Sequence, residues 1–135
     1  MENERERFGI TVDLNADHQS AIETVTAALQ LEGFGVLTEI DVRTTLKKKI
    51  DVDFRPYTIL GACNPVLAHR ALSAVSQIGL MLPCNVTVEQ LGPGQTRVTI
   101  ADPTAMLAVV DDPALAEVAR EARERLLRVA ETMTR

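Results

Sequence analysis

Hydrophobic and polar residues alternate in several stretches of the chain, and this period of two is typical of β-strands with one buried face. Residues 8–14 and 34–42 each predict one strand. Residues 84–101 predict a β-hairpin, because the alternation resumes on both sides of a Gly-Pro-Gly turn at residues 92–94. Residues 57–63 are mostly apolar on both faces, which predicts a strand inside the sheet.

Helices are predicted between the strands, because hydrophobic residues recur there every three or four positions. Asp17 is a favoured N-cap for a helix that runs to about residue 32, where Gly33 permits a left-handed C-cap. Asp41 has the same capping role for a short helix that ends near Ile50. This short helix carries three consecutive lysines, which we interpret as a solvated helix face; a basic rim for an anionic ligand is the alternative.

The last predicted helix begins near Pro113 and has a hydrophobic seam with spacings of four and three residues. The seam consists of Leu115, Ala119, Ala122, Leu126, Val129 and Met133. We expect it to pack on the sheet, to supply part of a dimer contact, or to do both. Opposite charges four residues apart predict ion pairs on the exposed side of the helix, namely Glu121–Arg125, Glu124–Arg128 and Glu131–Arg135.

The order of the predicted elements is β-α-β-α-β-α-β-β-α, and the two strands of the hairpin must be antiparallel. The simplest fold class is therefore α+β in two layers, with a mostly antiparallel sheet of about five strands and helices on one face. We expect a single domain over residues 8–135, preceded by a disordered tail at residues 1–7. Because the internal strand is apolar on both faces, the second face of the sheet needs cover from a loop, a ligand or a second subunit.

Composition and charge narrow the classes of function. The net charge is −5 and aromatic residues make up 3% of the chain, so no surface for nucleic acid is expected. No apolar stretch approaches the ~20 residues of a membrane span, and residues 1–7 lack the apolar core of a signal peptide. We therefore expect a cytoplasmic protein with no membrane partner, in which the two cysteines are free thiols.

The two cysteines are each followed by an asparagine, at Cys63-Asn64 and Cys84-Asn85. Asn64 is a favoured N-cap for a helix over residues 65–76, and the positive end of that helix is expected to lower the pKa of Cys63. If the chain returns from this helix to the same end of the internal strand, the two sulfur atoms converge. If the helix is a parallel crossover instead, they lie at opposite ends of the sheet. Packing of both cysteines as small apolar residues is the simpler interpretation.

Convergence of the two cysteines would allow two kinds of chemistry. One is a redox-active thiol pair, and the other is a soft-metal site with His69, one turn into the following helix, as a third ligand. The second histidine, His18, is expected to be exposed. The predicted ligand-binding residues are the two Cys-Asn pairs and Tyr57, which is the only tyrosine. The sequence identifies no catalytic residue and no reaction, and no cofactor is predicted.

Four stretches of the chain carry a resemblance to a known family: residues 46–50 (LKKKI), 55–57 (RPY), 59–65 (ILGACNP) and 78–86 (IGLMLPCNV). Their order and separation resemble domain-of-unknown-function family 302 over nearly the whole chain. The resemblance implies a small α+β domain similar in fold to the TATA-binding-protein-like class, which agrees with the element order above. It implies no established activity, and similar sheets have many unrelated functions.

The leading hypothesis is a homodimeric cytoplasmic module that binds a small molecule or a protein partner. Binding would use the second face of the sheet and the region of the two Cys-Asn motifs, because this apolar face has no visible cover in the sequence. The alternative is a thiol-based redox or soft-metal protein that uses Cys63 and Cys84.

Overall fold

The computed structural model describes residues 8–135, so the predicted disordered tail at residues 1–7 lies outside the described residues. The strands are β1 (Gly9–Leu14), β2 (Gly35–Asp41), β3 (Tyr57–Cys63), β4 (Cys84–Gly92) and β5 (Gln95–Ala101). The α-helices are α1 (His18–Leu31), α2 (Val42–Ile50), α3 (Pro65–Ala74), α4 (Pro103–Met106) and α5 (Pro113–Met133). In addition, 3₁₀ helices follow α3 at Ser76–Met81 and α4 at Leu107–Val109.

The strands of residues 8–135 form one antiparallel sheet in the order β1-β5-β4-β3-β2. The strand β3 is therefore internal, as its two apolar faces predict. The tight turn between β4 and β5 contains Gly94 with a φ of +66°, a conformation that glycine adopts readily. The predicted α+β class, with a mostly antiparallel sheet and helices against one face, is confirmed.

The hydrophobic core lies between the sheet and the helices α1, α3 and α5. On the sheet side it contains residues that alternate along each strand, such as Leu60, Val86 and Ile100. On the helix side it contains the whole predicted seam of α5, whose six residues are all buried. The seam therefore packs inside the domain. No helix of residues 8–135 is both long and apolar enough to cross a bilayer.

The helices α1, α2, α3 and α5 each begin at a side-chain cap, and the sequence predicts the caps of the first three. Asp17, Asp41, Asn64 and Asp112 each accept a hydrogen bond from a backbone N–H in the first turn of α1, α2, α3 and α5. At the end of α1, Gly33 has a φ of +84°, which is the predicted left-handed cap.

The strand β2 differs from its predicted form. The alternation from residue 34 to Val42 predicts a buried face, but β2 is an edge strand and most of it is exposed. Its pairing with β3 shifts register between Val36 and Thr38, so the alternation is interrupted by a bulge. Val42 lies in α2 rather than in the strand. The lysines of α2 are solvated, and Lys47 forms exposed ion pairs with aspartates that follow the helix.

The ion pairs of α5 also differ from the prediction. Glu121 binds Arg70 of α3, and Arg128 binds Glu32 at the end of α1. Within α5, Glu124 contacts Arg120 and not its predicted partner Arg128. Charges on a helix packed against neighbours have partners on those helices, which an i, i+4 rule for isolated helices does not consider.

Candidate functional site

The pairing of β3 with β4 brings the two cysteines to the same end of the sheet. Cys84 is opposite Ala62 in the register, and Cys63 is the next residue along β3. The segment between the strands therefore returns to the end that it left, which is the first of the two topologies considered above. We call this the cysteine end of the sheet, defined by residues 62–63 and 83–84.

Both cysteines line a small apolar cavity of about 40 Å³ at this end, which we call the thiol cavity. Helix α3 closes one side of it with Leu67, Ala68 and Ala71. Both side chains are free thiols with intermediate exposure. Burial raises the pKa of the Cys84 thiol to about 11 from its ordinary value of 9.0, and the neighbouring Cys63 adds to the shift. Cys84 is therefore a neutral thiol at physiological pH, not an activated nucleophile.

A larger apolar cleft, with a volume of about 210 Å³, adjoins the thiol cavity and shares Cys84 with it. The 3₁₀ helix at Ser76–Met81 forms one wall of this cleft, and α4 with the residue that follows it forms the other. Its lining consists of Leu80, Met81, Leu82, Pro83, Cys84, Asn85, Ala101, Pro103, Met106 and Leu107. Because a water molecule occupies about 30 Å³ of liquid, the cleft has room for a small molecule.

The wall formed by α4 is held in place by polar contacts of Asp102. Its carboxylate accepts a hydrogen bond from the Thr104 backbone N–H at 2.9 Å and another from Arg123 Nε of α5 at 3.0 Å. Although burial opposes ionisation, the hydrogen bonds from Thr104 and Arg123 keep the pKa of Asp102 below its usual 3.8. An ionised Asp102 thus fixes α4 against α5.

The two asparagines of the Cys-Asn motifs have different environments. Asn64 is buried, and its side chain accepts from the Leu67 backbone N–H at 3.2 Å and donates to the Glu32 carbonyl at 3.4 Å. Its amide is thus used in capping α3 and joining it to α1. Asn85 is exposed, lines the cleft and makes no side-chain hydrogen bond to the other described residues. Asn85 is therefore the amide that is free to contact a ligand.

Tyr57 is not brought to the cysteine end. It begins β3, six residues before Cys63, and a strand rises about 3.3 Å per residue, which places the two ends roughly 20 Å apart. Its ring packs against Phe54 with the centroids 6.1 Å apart. The prediction that grouped Tyr57 with the Cys-Asn pairs in one site is thus at odds with this placement.

His69 is also separate from the cysteines. It lies on the exposed side of α3 beside Arg70, in a recess that Glu117 of α5 also lines. The face of α3 that lines the thiol cavity is formed by other residues, so His69 does not reach the sulfur atoms as a third ligand. Within residues 8–135, no three His, Cys, Asp or Glu side chains are grouped so that they could hold a metal ion.

His18 is partly buried at the opposite end of β3, although the sequence suggests an exposed residue. Its Nε2 lies 2.8 Å from Thr58 Oγ1, and its backbone N–H donates to Gln90 Oε1 at 3.2 Å. Its Nδ1 is buried without a hydrogen-bond partner among the described residues. These contacts join residues that are 40 and 72 positions apart, so no local sequence signal could have predicted them.

The comparisons with known proteins agree with this fold and with the resemblance of the sequence. The family model for the domain of unknown function DUF302 matches residues 10–133. One solved structure that matches is the crystal structure of an uncharacterized conserved DUF302 protein from Bacillus stearothermophilus, with 36% sequence identity and a TM-score of 0.84. The match covers 93% of this chain and 97% of that one. No protein in the curated set matches.

Proposed function

The chain belongs to the DUF302 family, and we propose that it is a small-ligand-binding module whose site is the apolar cleft beside Cys84 and Asn85. The observation that carries the proposal is an apolar cleft of about 210 Å³. At its edge lies the side-chain amide of Asn85, which makes no hydrogen bond to the other described residues. Clefts with mostly apolar linings and a few polar groups are the usual form of small-molecule sites. The ligand would be small and largely apolar, with a polar group placed near Asn85.

Exposed hydrophobic side chains at the mouth of the cleft support the proposal. Leu80 is 86% exposed and Met81 is 38% exposed. Both would be partly covered by a ligand in the cleft, which removes apolar surface from water. Methionine also adapts its shape to different ligands, because its side chain is unbranched and flexible.

Binding of benzene, observed by saturation-transfer NMR, tests the proposal. Leu80→Gln is expected to weaken binding about fivefold, which corresponds to the loss of about 1 kcal/mol of apolar contact. Leu31→Gln is the matched control, because Leu31 is also highly exposed but lies at the end of α1, away from the cleft. Equal effects of the two substitutions, or no benzene binding by the wild-type protein, would contradict the proposal.

A further variant fills the cleft instead of changing its mouth, and a second substitution serves as its control. Ala101 lines the cleft, so Ala101→Leu is expected to abolish benzene binding by occupying its volume. Ala105 is exposed on α4 and does not line the cleft, so Ala105→Leu is expected to leave binding unchanged. Circular dichroism of both variants separates a filled cleft from a misfolded domain.

A thiol redox protein is the second candidate, and it is favoured by the fact that both thiols line one cavity. In the reaction, glutathione disulfide would take two electrons and two protons from Cys63 and Cys84, leaving a protein disulfide and two glutathione molecules. The raised pKa of Cys84 disfavours this candidate, because the thiolate is the reactive form. Thiol titration after glutathione disulfide treatment tests it, since two remaining free thiols would rule it out.

We expect the proposed module to be a cytoplasmic homodimer. On the sheet face turned away from α1, α3 and α5, Thr87 pairs with Ile59, and Ile59 pairs with Ile40 of the edge strand. Ile40 is 49% exposed, so part of this face is apolar and accessible in a single chain. Light scattering coupled to size exclusion measures the mass, and a monomer at all concentrations would contradict the expectation.

A further inference from the structure

Sulfur atoms gather at the cysteine end of the sheet. Residues 8–135 contain five sulfur-bearing side chains, and four of them line the cleft or the thiol cavity. Met81, Cys84 and Met106 line the cleft, Cys63 lines the thiol cavity, and Met133 is buried in α5. The three sulfur atoms of the cleft come from a 3₁₀ helix, β4 and α4, so the tertiary fold brings them together.

We infer that the cleft binds a soft monovalent cation, Cu(I), through the sulfur atoms of Met81, Cys84 and Met106. The inference rests on the proposed function in using the same cleft as a binding site, and it adds a metal ion to the small apolar molecules proposed above. Thiolate and thioether ligands select Cu(I), whereas magnesium and calcium require oxygen ligands. No histidine, aspartate or glutamate lines the cleft, so its donor set favours a soft cation.

The charge of the bound state favours a monovalent ion over a divalent one. On binding, the Cys84 thiol releases its proton to solvent and its sulfur donates an electron pair to copper, which remains Cu(I). A thiolate and a monovalent cation together have no net charge, whereas a divalent ion would leave one positive charge in an apolar cleft. Burial of an uncompensated charge is strongly unfavourable. The two thioethers are neutral ligands, so they complete the coordination without changing this balance.

All three sulfur-bearing side chains line one cleft, and two of them are flexible methionines. Methionine has three rotatable bonds, so each Sδ atom can turn toward an ion beside Cys84. Met81 is 38% exposed at the mouth of the cleft, which gives an ion a route from solvent. Leu82 and Leu107 line the same cleft, so part of the surface beside the sulfur atoms is apolar. Thioether ligands thus distinguish this candidate site from the His, Cys and carboxylate type of metal site.

Anaerobic competition with the Cu(I) chelator bathocuproine disulfonate tests the inference on the full-length chain. Met81→Leu and Met106→Leu are each expected to lower the Cu(I) affinity by at least about tenfold, since even loss of outer-shell partners often has an effect of that size. Cys84→Ala is expected to abolish competition. Met133→Leu is the matched control, because Met133 lies outside the cleft, and it is expected to leave the affinity unchanged.

Benzene binding separates failure of this inference from failure of the proposed function. Benzene binding is measured on the wild-type protein without copper, because Met81 and Met106 line the cleft themselves. The inference is overturned if the wild-type protein does not compete for Cu(I), or if both methionine variants compete as well as the wild type. Benzene binding without Cu(I) binding would leave the proposed function in place and remove only the copper site. Loss of both would remove both proposals.

Discussion

The two ends of the β3–β4 strand pair are built in different ways. At the cysteine end, Ala62 is opposite Cys84, and the surrounding volume is an apolar cleft and a small cavity. At the other end, which we call the histidine end, Tyr57 is opposite Glu89, and His18 contacts Thr58. The histidine end is joined by polar contacts between elements and has a recess of about 260 Å³ lined mostly by polar side chains, among them His18, Asp41 and Thr58, whereas the cleft at the cysteine end is lined mostly by apolar ones.

This difference indicates where a ligand would contribute most. At the histidine end two ion pairs are already formed, since Glu89 binds Arg55 and Asp13 binds Arg97. A ligand in the recess there would meet mostly polar side chains, so it would gain less from covering apolar surface. At the cysteine end a ligand would cover apolar surface without displacing any protein contact. The apolar lining of the cleft therefore favours a ligand at the cysteine end, and four predictions test the difference in packing and polarity between the two ends.

The largest expected effect is at the cysteine end. Leu107 is 9% exposed and lines both the cleft and the thiol cavity. Leu107→Ala should lower the free energy of unfolding by about 2–4 kcal/mol, because it removes buried apolar contacts and joins two existing voids. Urea denaturation measures the loss. A change below about 1 kcal/mol would mean that packing at this end is looser than described.

The next effect is at the histidine end, where a hydrogen bond rather than packing is lost. Thr58→Val keeps the shape of the side chain but leaves His18 Nε2 without its partner, so we expect destabilisation by about 1–3 kcal/mol. Thr99→Val is the matched control, because Thr99 is half-buried on β5 with no hydrogen bond to His18. Equal stabilities of the two variants in urea would show that the His18–Thr58 contact does not stabilise the fold.

The raised pKa of Cys84 predicts that the free energy of unfolding depends on pH through a residue at the cysteine end. The folded pKa of about 11 lies above the ordinary 9.0, so the folded state holds the thiol proton more tightly than the unfolded chain does. This contribution is complete below pH 9 and is lost as the pH rises toward 11. Wild-type stability should fall, relative to Cys84→Ala, by about 2 kcal/mol between pH 8 and pH 10.5. Parallel curves for the two proteins would contradict burial of Cys84.

The smallest effect is expected for the ion pair between Arg55 and Glu89 at the histidine end. Arg55 is 49% exposed and Glu89 is 20% exposed, so solvent screens much of their attraction. A double-mutant cycle with Arg55→Ala and Glu89→Gln should give a coupling free energy of at most about 1 kcal/mol that declines with added salt. A larger, salt-independent coupling would mean that this end is drier than its exposure suggests.

Local sequence signals were sufficient for most of the fold. The side chains of Asp17 and Asn64 cap their helices because a cap needs contacts only within the first turn. The seam of α5 was predictable because its spacing reflects one buried helix face. The form of β2 was not, because alternation does not reveal an edge position or the bulge after Val36.

The candidate site was predictable only in part, because its geometry depends on how strands pair. The Cys-Asn motifs lie at the end of the sheet that has the apolar cleft, but whether Cys63 and Cys84 meet depended on the antiparallel pairing of β3 with β4. Met106 comes from α4 and reaches the cleft only through tertiary packing. His69 was placed near Cys63 by sequence distance alone, and the direction of its side chain separates it from the cavity.

An amide chemical-shift map of the ¹⁵N-labelled protein with benzene is the most direct test of a ligand site at the cysteine end. We expect the largest shifts at residues 80–85 and 101–107, which border the cleft, and we expect them to saturate with one affinity. Residues around His18 and Thr58 should change little. Shifts concentrated at the histidine end, or spread evenly over the exposed hydrophobic residues, would rule out a ligand site at the cysteine end.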